Sequence, residues 1–256
     1  MQANDFDGDR RRTALSSRHY FALDLRGRVM RWMLLLAGIV FVALAPHTPG
    51  GEVKETKSAL ETDPTGWIDL LDKDDPKGWM RVSIPPGSKL GTPDPWKFDF
   101  EKKALICHGT GAPHEMLLYG TKEFGDGIFH VEWRFEKVEG KKGYNSGVYV
   151  RNSRDGAVWH QAQVGNKNVG YLFGQTLDKD GKKGGFNSKA TVPQRGKEPG
   201  EWNTFEITCK GKTISLWVNG AVTTEWTECE VARGYVGLEA EGFVIEFKNV
   251  KFKEIK

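Results

Sequence analysis

TFEITCKGKTISLWVNGAVTTEW, Thr204–Trp226, is the stretch that decides the fold. It holds three strand-length runs, separated by Lys210-Gly211-Lys212 and by Asn219-Gly220. Asn-Gly supplies two residues that accept positive φ, which is what a two-residue hairpin turn requires. Two consecutive antiparallel hairpins follow. Upstream, IFHVEWRF (Ile128–Phe135) alternates Phe129, Val131, Trp133 and Phe135 with His130, Glu132 and Arg134, which predicts one buried and one exposed face. Downstream, GYVGLEAEGFVIEFKNVKFKEI (Gly234–Ile255) reads as two more strands broken near Gly242. No helical period of useful length appears after the first 45 residues. Short strands punctuated by Gly, Pro, Asn and Asp predict an all-β antiparallel β-sandwich or jelly roll.

The N-terminal end reads differently. Arg26, Arg28 and Arg31 precede the apolar run Trp32–Ala45, and Ala43-Leu44-Ala45 offers small residues before Pro46. That order is the layout of a secretory signal peptide, with Met30 as a compact alternative start. A bilayer-spanning helix needs about 20 apolar residues, so retention of this leader as a membrane anchor is the minor alternative. The expected location is periplasmic or secreted. Residues 1–45 carry seven of the 37 Lys+Arg and four of the 34 Asp+Glu, which leaves 30 of each in the remainder. That balance argues against nucleic acid as a partner, since phosphate binding needs a clustered basic surface. The nearest cluster, Lys179–Lys189, is broken by glycines and reads as a loop. Residues 46–63 are polar and aperiodic and read as a linker, leaving 64–256 as one domain. Of three cysteines, Cys107, Cys209 and Cys229, two can pair, and the sequence does not choose which.

Function is sought where strand faces carry unusual side chains. In YNSGVYVR (Tyr144–Arg151), Ser146, Val148 and Val150 alternate with Tyr149 and Arg151. In VWHQAQV, Val158, His160, Ala162 and Val164 alternate with Trp159, Gln161 and Gln163. An aromatic plate beside planar hydrogen-bonding groups suits a sugar ring, so a carbohydrate ligand is the expected partner. Tyr171 and Phe173 are placed as walls of the same cleft, and His160 as a buried core histidine. Glu239 and Glu241 alternate with Leu238 and Ala240 and so project from one face. Two neighbouring carboxylates push one pKa upward, towards useful base strength. Glu241 is the first candidate for that base.

Taken in order, TGWIDLLDKDDPKGW (Thr65–Trp79), KEFGDGIFHVEWRF, YNSGVYVR, KEPGEWNTFEI, SLWVNG and GLEAEGFVIEFKNVKFKEI resemble the 3-keto-disaccharide hydrolase family. The resemblance covers Thr65–Lys256. It implies a concanavalin-A-like sandwich of lectin and glucanase type, acting on glycosides oxidised at C3 by 1,2-elimination or by hydrolysis. The family often has Glu where Gln161 stands, and an amide cannot exchange protons as a carboxylate does. A non-catalytic glycan-binding module on the same scaffold is therefore the alternative.

A 3-keto group acidifies the proton on C2. Cleavage then needs a base near C2, a donor at the enolate oxygen and help for the oxygen leaving C1. The candidate catalytic residues are Glu241, Glu239 and Arg151. The candidate substrate-binding residues are Trp159, Gln161, Gln163, Asn145, Tyr149, Arg134 and Glu132. No cofactor is predicted. His108 and His114 flank a Gly-rich loop without a carboxylate at ligand spacing, which leaves room for a divalent metal but names no site.

Overall fold

Alternating apolar runs build fifteen strands in the computed structural model, which describes residues 53–72, 76–109, 111, 113–166, 169–192 and 194–255. In chain order these are β1 (Ile68–Asp69), β2 (Trp79–Ser83), β3 (Trp96–Asp99), β4 (Ala104–His108), β5 (Glu115–Tyr119), β6 (Gly127–Phe135), β7 (Asn145–Asn152) and β8 (Trp159–Gly165). They continue with β9 (Leu172–Leu177), β10 (Lys183–Ser188), β11 (Asn203–Lys210), β12 (Thr213–Val218), β13 (Ala221–Trp226), β14 (Tyr235–Ala240) and β15 (Val244–Glu254). The predicted signal peptide, residues 1–45, lies outside the described residues. Among the described residues no helix is long and apolar enough to cross a membrane.

Two antiparallel sheets form the predicted sandwich. One runs β13-β12-β11-β6-β15-β4-β3, with β1 paired to β15; the other runs β10-β9-β8-β7-β14-β5-β2. Both hairpins predicted in Thr204–Trp226 form, and Asn219 and Gly220 adopt φ of 42° and 109°. Phe129, Val131, Trp133, Phe205, Ile207 and Phe247 from the first sheet are buried against Val148, Val150, Ala162, Val164 and Leu238 from the second. Each of the larger side chains among these, removed from water, contributes ~1.5–3 kcal/mol. The lysine run read as a loop is instead largely strand β10, the exposed edge of the second sheet.

Two expectations on the first sheet are corrected. His130 is buried, because the segment read as a linker does not hang free where it is described. Its short helix α1 (Ala59–Thr62) docks on the sheet, with Ala59 and Leu60 donating backbone N–H groups to Glu206 at 2.6 and 3.0 Å. Thr56 adds a backbone bond to Gly220 at 2.7 Å. Glu206 in turn bonds His130 Nδ1 at 2.9 Å. Arg134 and Glu132 do not reach the second sheet's outer face, where the other candidates gather. Period-two alternation sends them to the outer face of the first sheet. There Arg134 pairs with Glu246 at 2.6 Å and lies over the Trp202 ring, while Glu132 accepts from Asn249 at 2.6 Å and faces Lys248 at 3.2 Å.

Arg151 is a further correction. Simple alternation puts it beside Tyr149, yet it has φ of 50° and stands in a β-bulge, where Tyr149 to Asn152 on β7 oppose only Gly237 to Tyr235 on β14. A bulge inserts one residue and slips the side-chain alternation. The guanidinium is consequently buried at one end of the sandwich, donating to Asp126 at 2.9 Å and to the Gly211 carbonyl at 2.8 Å. It belongs to the framework. Cys107, Cys209 and Cys229 are all buried free thiols.

Candidate active site

The outer face of the second sheet carries a cleft of about 280 Å³. Its floor is the row predicted from alternation. Trp159, Gln161 and Gln163 of β8, Asn145 and Tyr149 of β7, and Glu239 and Glu241 at the end of β14 all line it. The sequence placed these seven residues together, and the fold brings them together. His160, on the opposite side of β8, is the buried histidine expected; it bonds Thr176 at 3.0 Å and burial lowers its pKa to about 4.

Glu239 organises the floor. Its carboxylate accepts from the Tyr149 hydroxyl at 2.8 Å and from the Gln161 amide at 2.6 Å, and only 6% of the residue is exposed. Burial, and then the negative charge of Glu241, raise its pKa to about 8; the bonds from Tyr149 and Gln161 pull the other way without cancelling them. Tyr149 lies in the predicted row but is 1% exposed, so it reaches a ligand only through Glu239. Burial and the same two carboxylates hold its phenol well above its usual pKa, so it stays a donor.

Gln161 reaches Glu239 by crossing β7, and Gly147 is what lets it cross. A Cβ on Gly147 would sit 1.9 Å from Gln161 Nε2 and 2.6 Å from its Cδ. The Asn145-Ser146-Gly147 run thus has a division of labour: Ser146 donates to the Glu239 carbonyl at 2.8 Å, and Gly147 leaves the channel above it open. Where the resembling family often has Glu at the position of Gln161, this chain holds an amide there and a carboxyl on β14. The two are paired, so the cleft keeps a carboxylate. Gly147→Ala is expected to displace Gln161 and lower any turnover at this site by about 10–100-fold, the worth of one hydrogen bond to a charged group. Steady-state kinetics beside a thermal melt would separate this from misfolding.

The walls supply apolar and polar surface. Trp159 makes near-perpendicular ring contacts with Tyr149 and Phe173, with centroids 6.2 and 5.3 Å away, which hold the indole in the lining of the cleft. Phe173 joins that wall. Tyr171 instead lines an adjoining hollow and donates to Gln163 at 3.3 Å. Gln163 also donates to Asn145, in a short bond, and to the Val164 carbonyl at 2.9 Å. Glu241 stands at the rim, its carboxylate 3.8 Å from His114 Nε2. His114, Ile84, Pro86 and Met116 complete the lining. The sequence had weighed His114 only as a metal ligand, because nothing local ties a loop before β5 to the end of β14. Among the described residues no group of three or more His, Cys, Asp and Glu is placed to hold a metal ion.

A raised folded-state pKa has a consequence for stability. Between the ordinary value of 4.5 and about 8, the folded chain keeps a proton on Glu239 that the unfolded chain releases. Stability from this group is therefore fully present below pH 4.5 and lost as pH rises through about 8. At ~1.4 kcal/mol per unit the loss is on the order of a few kcal/mol. Glu239→Gln is expected to melt above wild type near pH 9, with the gap closing near pH 5, as differential scanning calorimetry at both values would register.

A family model described as the 3-keto-alpha-glucoside-1,2-lyase-like domain matches residues 66–253. The chain belongs to this family. Its fold is that of carbohydrate-active proteins. A candidate glycosyl hydrolase of Parabacteroides distasonis superposes with a TM-score of 0.53 at 16% identity, over 79% of this chain and 100% of the other. LamA of Zobellia galactanivorans, solved with laminaritriose and laminaritetraose, superposes with a TM-score of 0.50 at 10% identity, over 73% and 96%. At these identities the likeness is one of fold. No curated protein matches the chain. The family's domain thus spans both sheets, from before β1 to within β15, and contains every residue of the cleft.

Proposed function

We propose that this chain cleaves 3-keto-glycosides, with Glu239 as the base. The observation that carries the reading is one buried carboxyl, raised to about 8 and bonded by Tyr149 and Gln161, in a cleft that Trp159 also lines. A base whose pKa lies near the working pH is matched to removing a proton next to a carbonyl. Glu239 takes the C2 proton, and the electron pair moves into an enolate at O3. The enolate returns its pair as a C1–C2 double bond while the C1–O1 bond breaks, and the departing oxygen takes a proton. Water adding across that double bond makes the net result hydrolysis. With Arg151 elsewhere, the enolate oxygen is left to neutral donors, the amides of Asn145 and Gln161. At the rim, the His114 N–H, beside the Glu241 carboxylate at 3.8 Å, assists the leaving oxygen as it takes its proton. Trp159 stacks the ring and Gln163 with Asn145 reads hydroxyls.

The test is to incubate the folded domain with 3-keto-glucosides, with and without chelator, and to follow release of the aglycone and the 3-keto product. Sugar binding without release in either condition would favour the glycan-binding module instead. We also propose export by the N-terminal leader, with cleavage after Ala45; the N-terminus of secreted material should begin near Pro46. Intact chain recovered from membranes would favour an anchor.

A further inference from the structure

The outer face of the first sheet, opposite the cleft, holds a second built hollow. It has about 250 Å³ and lies between the docked N-terminal segment and strands β6, β11 and β12. Four features make it unlike an ordinary solvated surface. His130 is 2% exposed, and its Nε2 has no hydrogen-bond partner although its Nδ1 is held by Glu206 at 2.9 Å. That fixed Nδ1 bond orients the ring and turns Nε2 towards Glu132, which lines the hollow, 3.9 Å from its carboxylate and too far for a direct bond. Glu132 has its own ties to Asn249 and Lys248, so its oxygens are fixed rather than wandering. Trp217 lines the same hollow, and its indole N–H is engaged by Thr56 at 2.7 Å, so the ring is already immobilised as a plate.

A buried polar nitrogen without a partner costs free energy unless something supplies the missing bond. What could supply it is set by the surroundings. A cation would find one imidazole and two carboxylates, of which Glu61 is already held by the Ser58 backbone N–H and hydroxyl, and among the described residues no metal-holding group of three such side chains is placed there. A strong anion would be repelled by Glu132 and Glu61. A neutral hydroxylated ring meets no such objection. One hydroxyl standing to the side of the His130 Nε2–Glu132 pair can bond both, another can accept from the exposed Lys197 ammonium, and its C–H face can lie on Trp217. We propose that this hollow is a second carbohydrate site, taking one neutral pyranose unit on the sheet opposite the cleft. Glu132, expected from the sequence to bind sugar, does so there, away from the chemistry. Because the plate and the carboxylate are preorganised, little ordering is lost on binding. A chain with sugar sites on opposite sheets can hold a glycan on one face while working on another.

The experiment uses the indole N–H signals of the full folded domain in nitrogen-15 NMR, with Trp217→Phe and Trp159→Phe identifying the two reporters. Methyl α-glucoside is titrated to about 50 mM, above the ~1 mM dissociation constants of weak single-ring binding. Saturable movement of the Trp217 signal is expected. Lys197→Ala, an exposed substitution, and Glu132→Gln are each expected to weaken that movement at least about tenfold, the effect of losing one hydrogen bond to a charged group. Trp159 movement and turnover of a 3-keto-glucoside should be unchanged in both. A Trp217 signal indifferent to sugar, or one equally responsive in both variants, would overturn the second site. Failure of the cleft would instead appear as a still Trp159 signal or absent turnover, so the two proposals fail separately.

Discussion

Glu239→Gln is expected to lower turnover of a 3-keto-glucoside by about 10²–10⁴-fold, the usual worth of a positioned general base. Sugar binding should change only a few-fold, since Trp159, Gln163 and Asn145 stay in place. The substitution is nearly isosteric, and its surroundings can adapt. The Gln161 amide can turn its oxygen towards the new N–H, and the Tyr149 hydroxyl can rotate about its own bond. The fold is therefore retained, and near neutral pH it is expected to be more stable than wild type, because the desolvated carboxyl is gone. A variant that is better folded, still binds, and no longer turns over separates chemistry from structure. Kinetics would be read beside isothermal titration with an unoxidised glucoside. Undiminished turnover would remove Glu239 from the mechanism, and the same measurement on Glu241→Gln would show whether the rim carboxylate holds that role. If both variants turn over normally, the cleft is not where cleavage occurs.

How much of this was legible in the chain depends on how far each property reaches through space. Alternation is a local rule, and it correctly put Trp159, Gln161 and Gln163 on one side of β8 and His160 on the other. It also paired Glu239 with Glu241. The same rule misplaced Arg151, because a single bulged residue at the end of β7 slips the pattern and turns the guanidinium inward. No composition signal announces such a bulge; Arg151 is an ordinary strand residue until Gly237 and Tyr235 come alongside. His130 was missed for a different reason. Its exposure is set by Ala59 and Leu60, some seventy positions earlier, docking onto Glu206. Gly147 illustrates the strongest limit. Its value lies in the Cβ it lacks, and the side chain needing that room, Gln161, comes from the neighbouring strand on its way to a third. The choice between the two carboxylates was unreadable likewise, because the donors that bury and bind Glu239 lie 90 and 78 positions away. Chemical identity was local, whereas protonation was tertiary.

The pH dependence of kcat/KM carries the second large effect, and it is where the two carboxylates can be told apart. With Glu239 as the base, only its deprotonated form is active in the free enzyme. The rate constant should therefore rise about tenfold per pH unit below pH 8 and level off above it. Between pH 6 and 8 that is a change of well over tenfold, measurable with any 3-keto-glucoside that releases a chromophore. Glu241 enters as a charge. Its negative carboxylate is the second cause of the raised Glu239 pKa, after burial. Glu241→Gln removes that charge while leaving the burial, so the ascending limb should move to lower pH. The height of the plateau reports whatever Glu241 and His114 do for the leaving oxygen; the position of the limb reports electrostatics alone. A limb that stays at pH 8 in this variant would mean that Glu241 does not act on the base. A flat profile from pH 5 to 9 in the wild type would exclude Glu239, because no carboxyl raised to about 8 can be silent across its own titration.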